Sequence, residues 1–248
     1  MSYRKRLVER YWSTHYHRFE PGTAAEWDRV LDRIETSFGA FFATLPRDGR
    51  ILDVPCGVGY LEAYLMRRGF TSILAADLSD EQLAVARRRL QERALDPDGR
   101  VEFRAADAFE LLQDGTSYQA IAVLDFLEHL PKSEIIAMLD LCHKALAPGG
   151  LLFLRVSSAE SPMWGAMFHR DFTHETPFTT VSLRQCLDVT AFEPLTIAHE
   201  VVPAAVGDGL SLYLKQRIVA AGRSVLCRFL GVPSGAFAED LVAVARRP

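Results

Sequence analysis

Hydrophobic residues are grouped along this chain in two ways, as short continuous runs and as longer stretches with helical spacing. Short apolar runs bounded by turn residues indicate buried strands, whereas apolar residues three and four positions apart indicate helices. The runs predict strands over residues 50–54, 72–76, 101–105, 120–124 and 151–156. The helical stretches predict helices over residues 59–68, 79–92 and 133–146. Their alternation predicts an α/β fold with a doubly wound, mostly parallel sheet and right-handed crossovers.

The patterns on both sides of this alternation predict further elements. Residues 1–46 are predicted to form an N-terminal helical lid, in which a helix over residues 23–44 has apolar side chains at helical spacing. After the fifth strand, the sequence predicts an irregular segment over 157–180, a helix over 182–189, a strand over 195–202, a helical stretch over 209–230 and a final strand from Asp240.

The expected architecture is therefore a seven-stranded, Rossmann-like sheet. It occupies residues 47–248, with a helical insertion over about 205–232 before the last strand. One helix start is marked especially well, because Ser79-Asp-Glu-Gln has the sequence of a capping box.

A glycine-containing turn follows the first predicted strand, in the stretch Ile51-Leu-Asp-Val-Pro-Cys-Gly-Val-Gly-Tyr. Gly57 and Gly59 allow a tight turn whose backbone can approach a ligand. Asp53 ends the first strand and Asp77 ends the second, at the sheet edge where parallel α/β folds bind ligands. A carboxylate at position 77 can accept both hydrogen bonds of a ribose diol, so the turn predicts a nucleotide-type cofactor.

Two more acids, Asp107 and Asp125, follow the third and fourth strands. Asp107 is placed to accept a hydrogen bond from an adenine amino group. An NAD-dependent Rossmann dehydrogenase is the alternative, since it also needs a glycine-rich turn and a ribose-binding acid. The third spaced glycine of that fingerprint is missing, because Gly59 is followed by Tyr60, Leu61 and Glu62.

In combination these stretches resemble the motifs of class I S-adenosylmethionine-dependent methyltransferases over about residues 45–200. The matching segments after the first turn are Ala75-Ala-Asp-Leu-Ser, Ala105-Ala-Asp-Ala-Phe, Leu124-Asp-Phe-Leu-Glu-His-Leu and Leu146-Ala-Pro-Gly-Gly-Leu-Leu. The resemblance implies that Asp53 holds the methionine amino group, Asp77 the ribose hydroxyls, and Asp107 with Ala108 the adenine. It implies further cofactor contacts at Pro55, Cys56, Gly57, Gly59, Leu78 and Asp125. Pro55 departs from the family, which usually has a glycine there.

The candidate reaction centre lies after the fourth strand, where Asp125, Glu128 and His129 follow one another closely. A later loop, His169-Arg-Asp-Phe-Thr-His-Glu-Thr-Pro-Phe-Thr, brings His174 to the same sheet edge. This pattern resembles the metal-assisted O-methyltransferases of ubiquinone synthesis and of small-RNA 3′ ends. The resemblance implies a Mg²⁺ or Mn²⁺ ion held by Asp125, Glu128, His129 and His174, with Asp125 standing where those enzymes usually have Glu.

The catalytic residues predicted from this centre are His129, His174 and Asp125. In the metal-assisted hypothesis the cation lowers the pKa of a bound hydroxyl, and a histidine assists proton removal. Without a metal, His129 or His174 becomes the general base. In the structural alternative, Glu128 and His129 only shape the pocket and His174 bonds to backbone.

The acceptor is predicted from a looser resemblance. The stretch from Arg170, followed by Ser182-Leu-Arg-Gln, resembles bacterial methyltransferases that modify polysaccharides and sugars, which implies a glycan, sugar-nucleotide or glycolipid hydroxyl. The alternatives are a small aromatic or quinone-like hydroxyl, and a non-catalytic S-adenosylmethionine-binding partner domain. The presence of Asp125, Glu128, His129 and His174 argues against the last, because a module that only binds the cofactor does not need them. RNA methylation would follow from the metal pattern, but the net charge of −4 offers no broad phosphate-binding surface.

Composition adds expectations about the surroundings of the protein. The four cysteines lack metal-site spacing, which is typical of a reduced intracellular protein. The chain has no apolar signal region and no membrane-length apolar run, so we expect a cytoplasmic location. The net charge of −4 predicts no nucleic-acid partner. Residues 209–230 combine an apolar helical face with basic residues, which predicts packing on the domain or a homodimer contact, with membrane-surface contact as the alternative.

Overall fold

A computed structural model of the chain describes residues 11–19, 21–161, 163–201, 222, 225–229, 231 and 238–248. The strands in this part are β1 Ile51–Asp53, β2 Ile73–Asp77, β3 Val101–Ala105, β4 Tyr118–Leu124, β5 Leu146–Ser157, β6 Glu193–His199 and β7 Asp240–Arg246. The α-helices are α1 Tyr11–Thr14, α2 Ala24–Phe42, α3 Tyr60–Arg67, α4 Asp80–Glu92, α5 Ala108–Leu111, α6 Lys132–Ala145, α7 Trp164–Phe168 and α8 Thr180–Val189. Short 3₁₀-helices cover Tyr16–Phe19 and Leu127–His129.

The described strands form one seven-stranded sheet, in the order β3-β2-β1-β4-β5-β7-β6. The first five strands are mutually parallel, and β7 runs antiparallel to both β5 and β6. The predicted doubly wound, mostly parallel Rossmann-like sheet is therefore confirmed. The chain builds outward from β1 through β2 and β3, then returns to add β4 on the other side. Ligands bind at such a reversal, at the carboxyl ends of the strands.

Both faces of the sheet are covered, which explains why its central strands are continuous apolar runs. Every residue of β1 and β2 is buried. Leu52 and Leu74, which pair in register, face one core, whereas Ile51 and Ile73 face the core on the opposite side. The alternation of side chains thus fixes the two strands between two helical layers.

The helix α2 is fastened to the sheet through aromatic packing. Thr23 starts it with a capping box, accepting from the Glu26 amide at 3.2 Å while the Glu26 carboxylate accepts from the Thr23 amide at 3.1 Å. Near its other end, Phe42 stacks on Phe153 of β5 with ring centroids 4.1 Å apart, and Phe38 meets the same ring edge-on at 5.6 Å. Burial of each such ring contributes roughly 1.5–3 kcal/mol. The predicted domain boundary at residue 46 stays a prediction.

Some elements differ from those predicted. Strand β5 begins at Leu146 instead of residue 151, because Leu146 already pairs with Tyr118 of β4. The helix α7 lies within the segment that we expected to be irregular, and α5 was not predicted. Both are so short that a helical period cannot show in their sequence. Of the two bonds of the predicted Ser79 capping box, the structure shows the one that its hydroxyl accepts from the Gln82 amide.

Most of the predicted helical insertion over 205–232 lies outside the described residues. Within the predicted stretch 209–230, residues 222 and 225–229 are described, and they are helical. The expected contact of this stretch with the domain, a second copy or a membrane stays a prediction. None of the helices that can be described is long and apolar enough to cross a membrane.

Candidate active site

The glycine turn after β1 is close-packed and has positive φ angles. Gly57 and Gly59 have φ angles of +54° and +84°, which residues other than glycine rarely adopt. A Cβ atom at Gly59 would lie 2.9 Å from the Cβ of Ala86 on α4. The Cys56 amide donates to the Ala76 carbonyl of β2 at 2.8 Å, and the Val54–Pro55 peptide is cis. Glycine is therefore favoured at position 57 for its φ angle, and at position 59 for both φ and space.

Asp77, at the end of β2, fastens this turn through its side chain. Its Oδ2 accepts from the Gly57 amide at 2.9 Å, and its Oδ1 accepts from the Ser79 amide at 2.8 Å. Burial raises the pKa of Asp77 to about 6 despite these two bonds. The carboxylate is thus placed beside the turn at the position predicted for ribose recognition, which stays a prediction.

Two further acids lie buried behind the turn. Asp53 and Glu62 are 2% and 0% exposed, and their carboxyl groups lie within hydrogen-bonding reach of each other. Apart from that contact, no donor from the described residues reaches Asp53 Oδ1 or either Glu62 oxygen. Burial, and then the neighbouring Glu62, raise the pKa of Asp53 well above its usual range, and burial raises the pKa of Glu62 to about 7. Buried carboxylates without donors favour a cationic ligand, because a positive charge would replace the lost hydration. The ammonium of S-adenosylmethionine fits this requirement.

A Glu62→Gln variant is expected to gain stability over the unliganded wild type as the pH rises from about 4.5 to about 7. Since the pKa of Glu62 is raised in the folded state, the folded wild type keeps a proton that the unfolded chain has released in this window. Its stability then falls with pH, by up to about 1.4 kcal/mol per pH unit. Glutamine has no such proton, so the difference in Tm should widen across the window.

Thermal unfolding at several pH values measures this difference. Glu92→Gln is the matched control, because Glu92 is a 59% exposed residue at the end of α4. A Tm difference for Glu62→Gln that stays constant with pH would show that the folded protein does not hold this proton.

The other predicted adenine-side residues follow β2 and β3. Asp107 caps α5, where its Oδ1 accepts from the Phe109 amide at 2.8 Å and from the Glu110 amide at 3.3 Å. Ala108 is buried in the first turn of this helix, and Leu78 is 44% exposed next to Asp77. These residues lie at the carboxyl edge of neighbouring strands, as predicted. Their contacts with adenine stay predictions.

Arg155, near the end of β5, holds the Asp125 side chain. Its Nε donates to Asp125 Oδ1 at 2.7 Å and its Nη2 donates to Oδ2 at 2.5 Å. Burial would raise the pKa of Asp125, but the Arg155 charge lowers it. Arg155 also lies 3.6 Å from Glu200, which pairs with Arg33 of α2. Both carboxylate oxygens of Asp125 thus accept hydrogen bonds from Arg155. In the predicted catalytic, cofactor and metal roles of Asp125, these same oxygens would have to bind a second partner as well.

Glu128 supports the loop around residue 174. Its Oε1 accepts from the amide and the hydroxyl of Ser157, each at 3.2 Å, and burial raises its pKa well above the usual range. Its main-chain carbonyl accepts from the amides of Glu175 at 2.7 Å and Thr176 at 3.0 Å. The side chain therefore faces β5, while the backbone docks the loop onto the 3₁₀-helix that ends at His129.

The structure brings His129 and His174 together, with ring centroids 4.7 Å apart. Burial, and then the charge of His174 when protonated, lower the pKa of His129 to about 4, so its imidazole is neutral at pH 7. Among the described residues, the acid that joins the two histidines closely enough to share an ion is Asp171. The predicted metal set of Asp125, Glu128, His129 and His174 stays a prediction. In the structure, the carboxyl groups of Asp125 and Glu128 accept hydrogen bonds from Arg155 and Ser157.

The N-terminal segment bridges the turn and this histidine pair. The Tyr11 hydroxyl donates to Asp171 Oδ2 at 2.5 Å, and its ring meets His129 edge-on at 6.0 Å. The adjacent Trp12 is buried against Val58 of the turn and Val85 of α4. Two neighbouring residues of α1 therefore contact the two halves of the site: Trp12 contacts the glycine turn, and Tyr11 contacts the 171–174 loop with its histidine pair.

Several site residues were missed by sequence reasoning. Glu62 and Arg155 are charged residues inside apolar stretches, a pattern that is itself unusual and could have marked them. Asp171 and Thr173 lie in a loop, where no hydrophobic periodicity of the sequence indicates which side chains are in contact. For these two the sequence offers only their closeness to His174.

The fold and the acid-lined turn are those that the resemblance to class I S-adenosylmethionine-dependent methyltransferases predicts. Residues 51–150 match a family described as a methyltransferase domain. The chain is similar to the ubiquinone biosynthesis O-methyltransferase of Agrobacterium fabrum, with 30% identity over 139 residues, which cover 55% of this chain and 52% of that protein. The protein of the same name from Xanthomonas campestris pv. campestris (strain B100) is 34% identical over 125 residues, 50% of this chain and 49% of that protein.

The chain thus spans about half the length of the curated relatives it matches. Among solved structures, magnesium protoporphyrin IX methyltransferase (ChlM) from Synechocystis PCC 6803 with bound S-adenosylmethionine has a TM-score of 0.65. At 17% identity it covers 100% of this chain and 99% of its own, which shows a common fold. These comparisons confirm the predicted fold and show similarity to methyltransferases over residues 51–150, whereas the saccharide branch and the metal pattern are not shown by them.

Proposed function

We propose that this protein transfers the methyl group of S-adenosylmethionine to a hydroxyl of a small aromatic, quinone-like acceptor. The observation that carries the proposal is a neutral, half-buried imidazole, His129, at the same sheet edge as the acid-lined glycine turn. The relatives named ubiquinone biosynthesis O-methyltransferase support the aromatic acceptor over the saccharide expected from the 170–185 stretch.

S-adenosylmethionine supplies an electrophilic methyl group on a sulfonium when it is bound. Asp53 and Glu62 would hold its ammonium group, because a positive charge stabilises buried carboxylates that have few hydrogen-bond donors. Asp77 would accept from the ribose hydroxyls and Asp107 from the adenine amino group. Of these four residues, Glu62 is the addition that the structure makes to the predicted set.

The acceptor hydroxyl loses its proton as its oxygen attacks, and a neutral histidine can take that proton. A phenol such as tyrosine has a pKa of about 10. An aliphatic hydroxyl is closer to water, whose pKa is about 15.7. His129 can therefore assist a phenol far more readily than a sugar alcohol. This difference in acidity supports the aromatic acceptor.

A metal-assisted form of the reaction would find its donors in a different set from the predicted one. His129, His174 and Asp171 offer two imidazoles and one carboxylate. Such a set suits Mn²⁺ or Zn²⁺ better than Mg²⁺, which prefers oxygen ligands. The Tyr11 hydroxyl already donates to the Asp171 carboxylate, however. We therefore assign proton removal to His129 itself.

The acceptor class is tested with the purified full chain and methyl-labelled S-adenosylmethionine. Catechols and quinols with an apolar tail are offered in parallel with sugar nucleotides and glycans. We expect label in the phenolic compounds and none in the sugars. Label in sugars alone would overturn the aromatic acceptor. Tight cofactor binding without transfer to either class would favour a non-catalytic S-adenosylmethionine-binding domain.

The same assay, run after dialysis against EDTA, tests the metal. We expect turnover to be unchanged, because His129 needs no ion to accept a proton. Turnover that disappears with EDTA and returns with Mn²⁺ or Mg²⁺ would contradict this assignment and establish the metal-assisted form.

A further inference from the structure

We propose that Thr173 and Asp171 fix the tautomer of His129, so that Nδ1 carries the proton and Nε2 is the basic nitrogen. Neither residue is part of the predicted catalytic set. The inference rests on the proposed function, in which His129 is the base. Thr173 and Asp171 are positioning residues in this arrangement, since they act through the imidazole.

The hydroxyl of Thr173 stands between the imidazole and the carboxylate. Its Oγ1 lies 2.7 Å from His129 Nδ1 and donates to Asp171 Oδ1 at 2.6 Å. A hydroxyl has one proton to donate, and an ionised carboxylate can only accept. The Thr173 proton therefore goes to Asp171, and the contact with His129 requires a proton on Nδ1.

The surroundings of Asp171 supply hydrogen-bond donors to its carboxylate. It accepts from the Tyr11 hydroxyl at 2.5 Å on Oδ2 and from the Thr173 amide at 2.8 Å on Oδ1. The Tyr11 hydroxyl on Oδ2 and the Thr173 amide on Oδ1 donate to one carboxylate, so both of its oxygens act as acceptors and the Thr173 hydroxyl is the donor in its bond to Asp171.

The second histidine is held in the same tautomer by simpler means. His174 Nδ1 lies 2.9 Å from the Phe168 carbonyl, which can only accept, so Nδ1 of His174 carries a proton. Both rings thus have Nε2 as the unprotonated nitrogen. For His129 this tautomer depends on the loop, because Thr173 comes from it, and the Glu128 carbonyl fastens that loop through Glu175 and Thr176.

Loss of the orienting partner should reduce turnover more than binding. In hydrolases whose histidine is oriented by a carboxylate, removing that orientation lowers kcat by about 10⁴-fold, through the wrong tautomer. A neutral hydroxyl orients less strongly than a carboxylate does. We expect Thr173→Val, which keeps the shape and removes the hydroxyl, to lower kcat about 10- to 100-fold at an unchanged KM for S-adenosylmethionine.

The experiment compares Thr173→Val, Thr173→Ser and Thr176→Val with the full-length wild type. Thr176 is a matched control in the same loop, since its hydroxyl donates to the Leu130 carbonyl at 2.8 Å and does not contact His129. Nitrogen-15 NMR of histidine-labelled protein reports which imidazole nitrogen carries the proton, and His129→Gln assigns the signals. Thr173→Val should populate the Nε2–H tautomer of His129. Thr173→Ser should restore both tautomer and kcat, and Thr176→Val should keep both.

Wild-type His129 with its proton on Nε2 would overturn the proposal. So would a Thr173→Val variant whose tautomer and kcat are those of wild type. The NMR measurement needs no turnover, which separates this proposal from the proposed function. If the tautomer shifts as expected but a His129→Ala variant retains full turnover, the positioning role stands and the role of His129 as the base fails.

Discussion

Replacing His129 by alanine is expected to lower kcat by about 10²- to 10⁴-fold, the range contributed by a positioned general base. The affinity for S-adenosylmethionine should stay unchanged, because the acids of the glycine turn, Asp53, Glu62 and Asp77, remain in place. His129 is half-buried and neutral, so its removal takes away a proton acceptor and adds no unpaired charge. Turnover with a phenolic acceptor and calorimetric binding of S-adenosylhomocysteine give the two readouts.

His143→Ala is the control for this prediction. His143 lies in the last turn of α6, at the opposite edge of the sheet, where it contacts the Phe192 ring at 5.1 Å. Its removal should leave kcat unchanged. If His129→Ala turns over as fast as wild type, His129 is not the base, and His174 becomes the next candidate.

Replacing Asp77 by alanine is expected to weaken S-adenosylmethionine binding by about 100-fold or more. The carboxylate is predicted to accept two ribose hydrogen bonds, and hydrogen bonds to charged groups contribute about 1.5–3 kcal/mol each, where 1.4 kcal/mol is tenfold in affinity. The variant also loses the bonds from the Gly57 and Ser79 amides that shape the turn. Titration calorimetry with S-adenosylhomocysteine measures the effect.

Two companions make this result specific. Asp77→Asn keeps one carbonyl acceptor and should fall between wild type and Asp77→Ala. Asp80→Ala changes an exposed acid at the first position of α4 and should bind as wild type. Equal binding by Asp77→Ala and wild type would contradict the cofactor assignment at the end of β2.

The sequence allowed the parallel core of the sheet to be predicted, because buried parallel strands are continuous apolar runs. It did not predict the antiparallel direction of β7. An apolar run such as Leu241–Ala245 reads the same in either direction, and only the pairing with β5 and β6 sets it. The strand bounds also shift where pairing extends into turn residues, as at Leu146.

The candidate site was predictable where it depends on strand ends and unpredictable where it depends on side-chain contacts. Asp53, Asp77 and Asp125 follow parallel strands, so their common edge follows from the topology. The partner of Asp125 follows from register instead. Leu124 pairs with Arg155, and this places the guanidinium beside the next residue. Register between distant strands is not readable from one apolar pattern.

The bridging position of the N-terminal segment has an energetic consequence. Trp12 packs on the glycine turn at Val58, and the adjacent Tyr11 donates a hydrogen bond to Asp171, beside His129 and His174. A change that shifts the backbone at residue 11 therefore also shifts it at residue 12. Substitutions in the turn and in the 171–174 loop share this partner, so their free energies should not add. The glycine turn and the 171–174 loop thus form one thermodynamic unit through Tyr11 and Trp12.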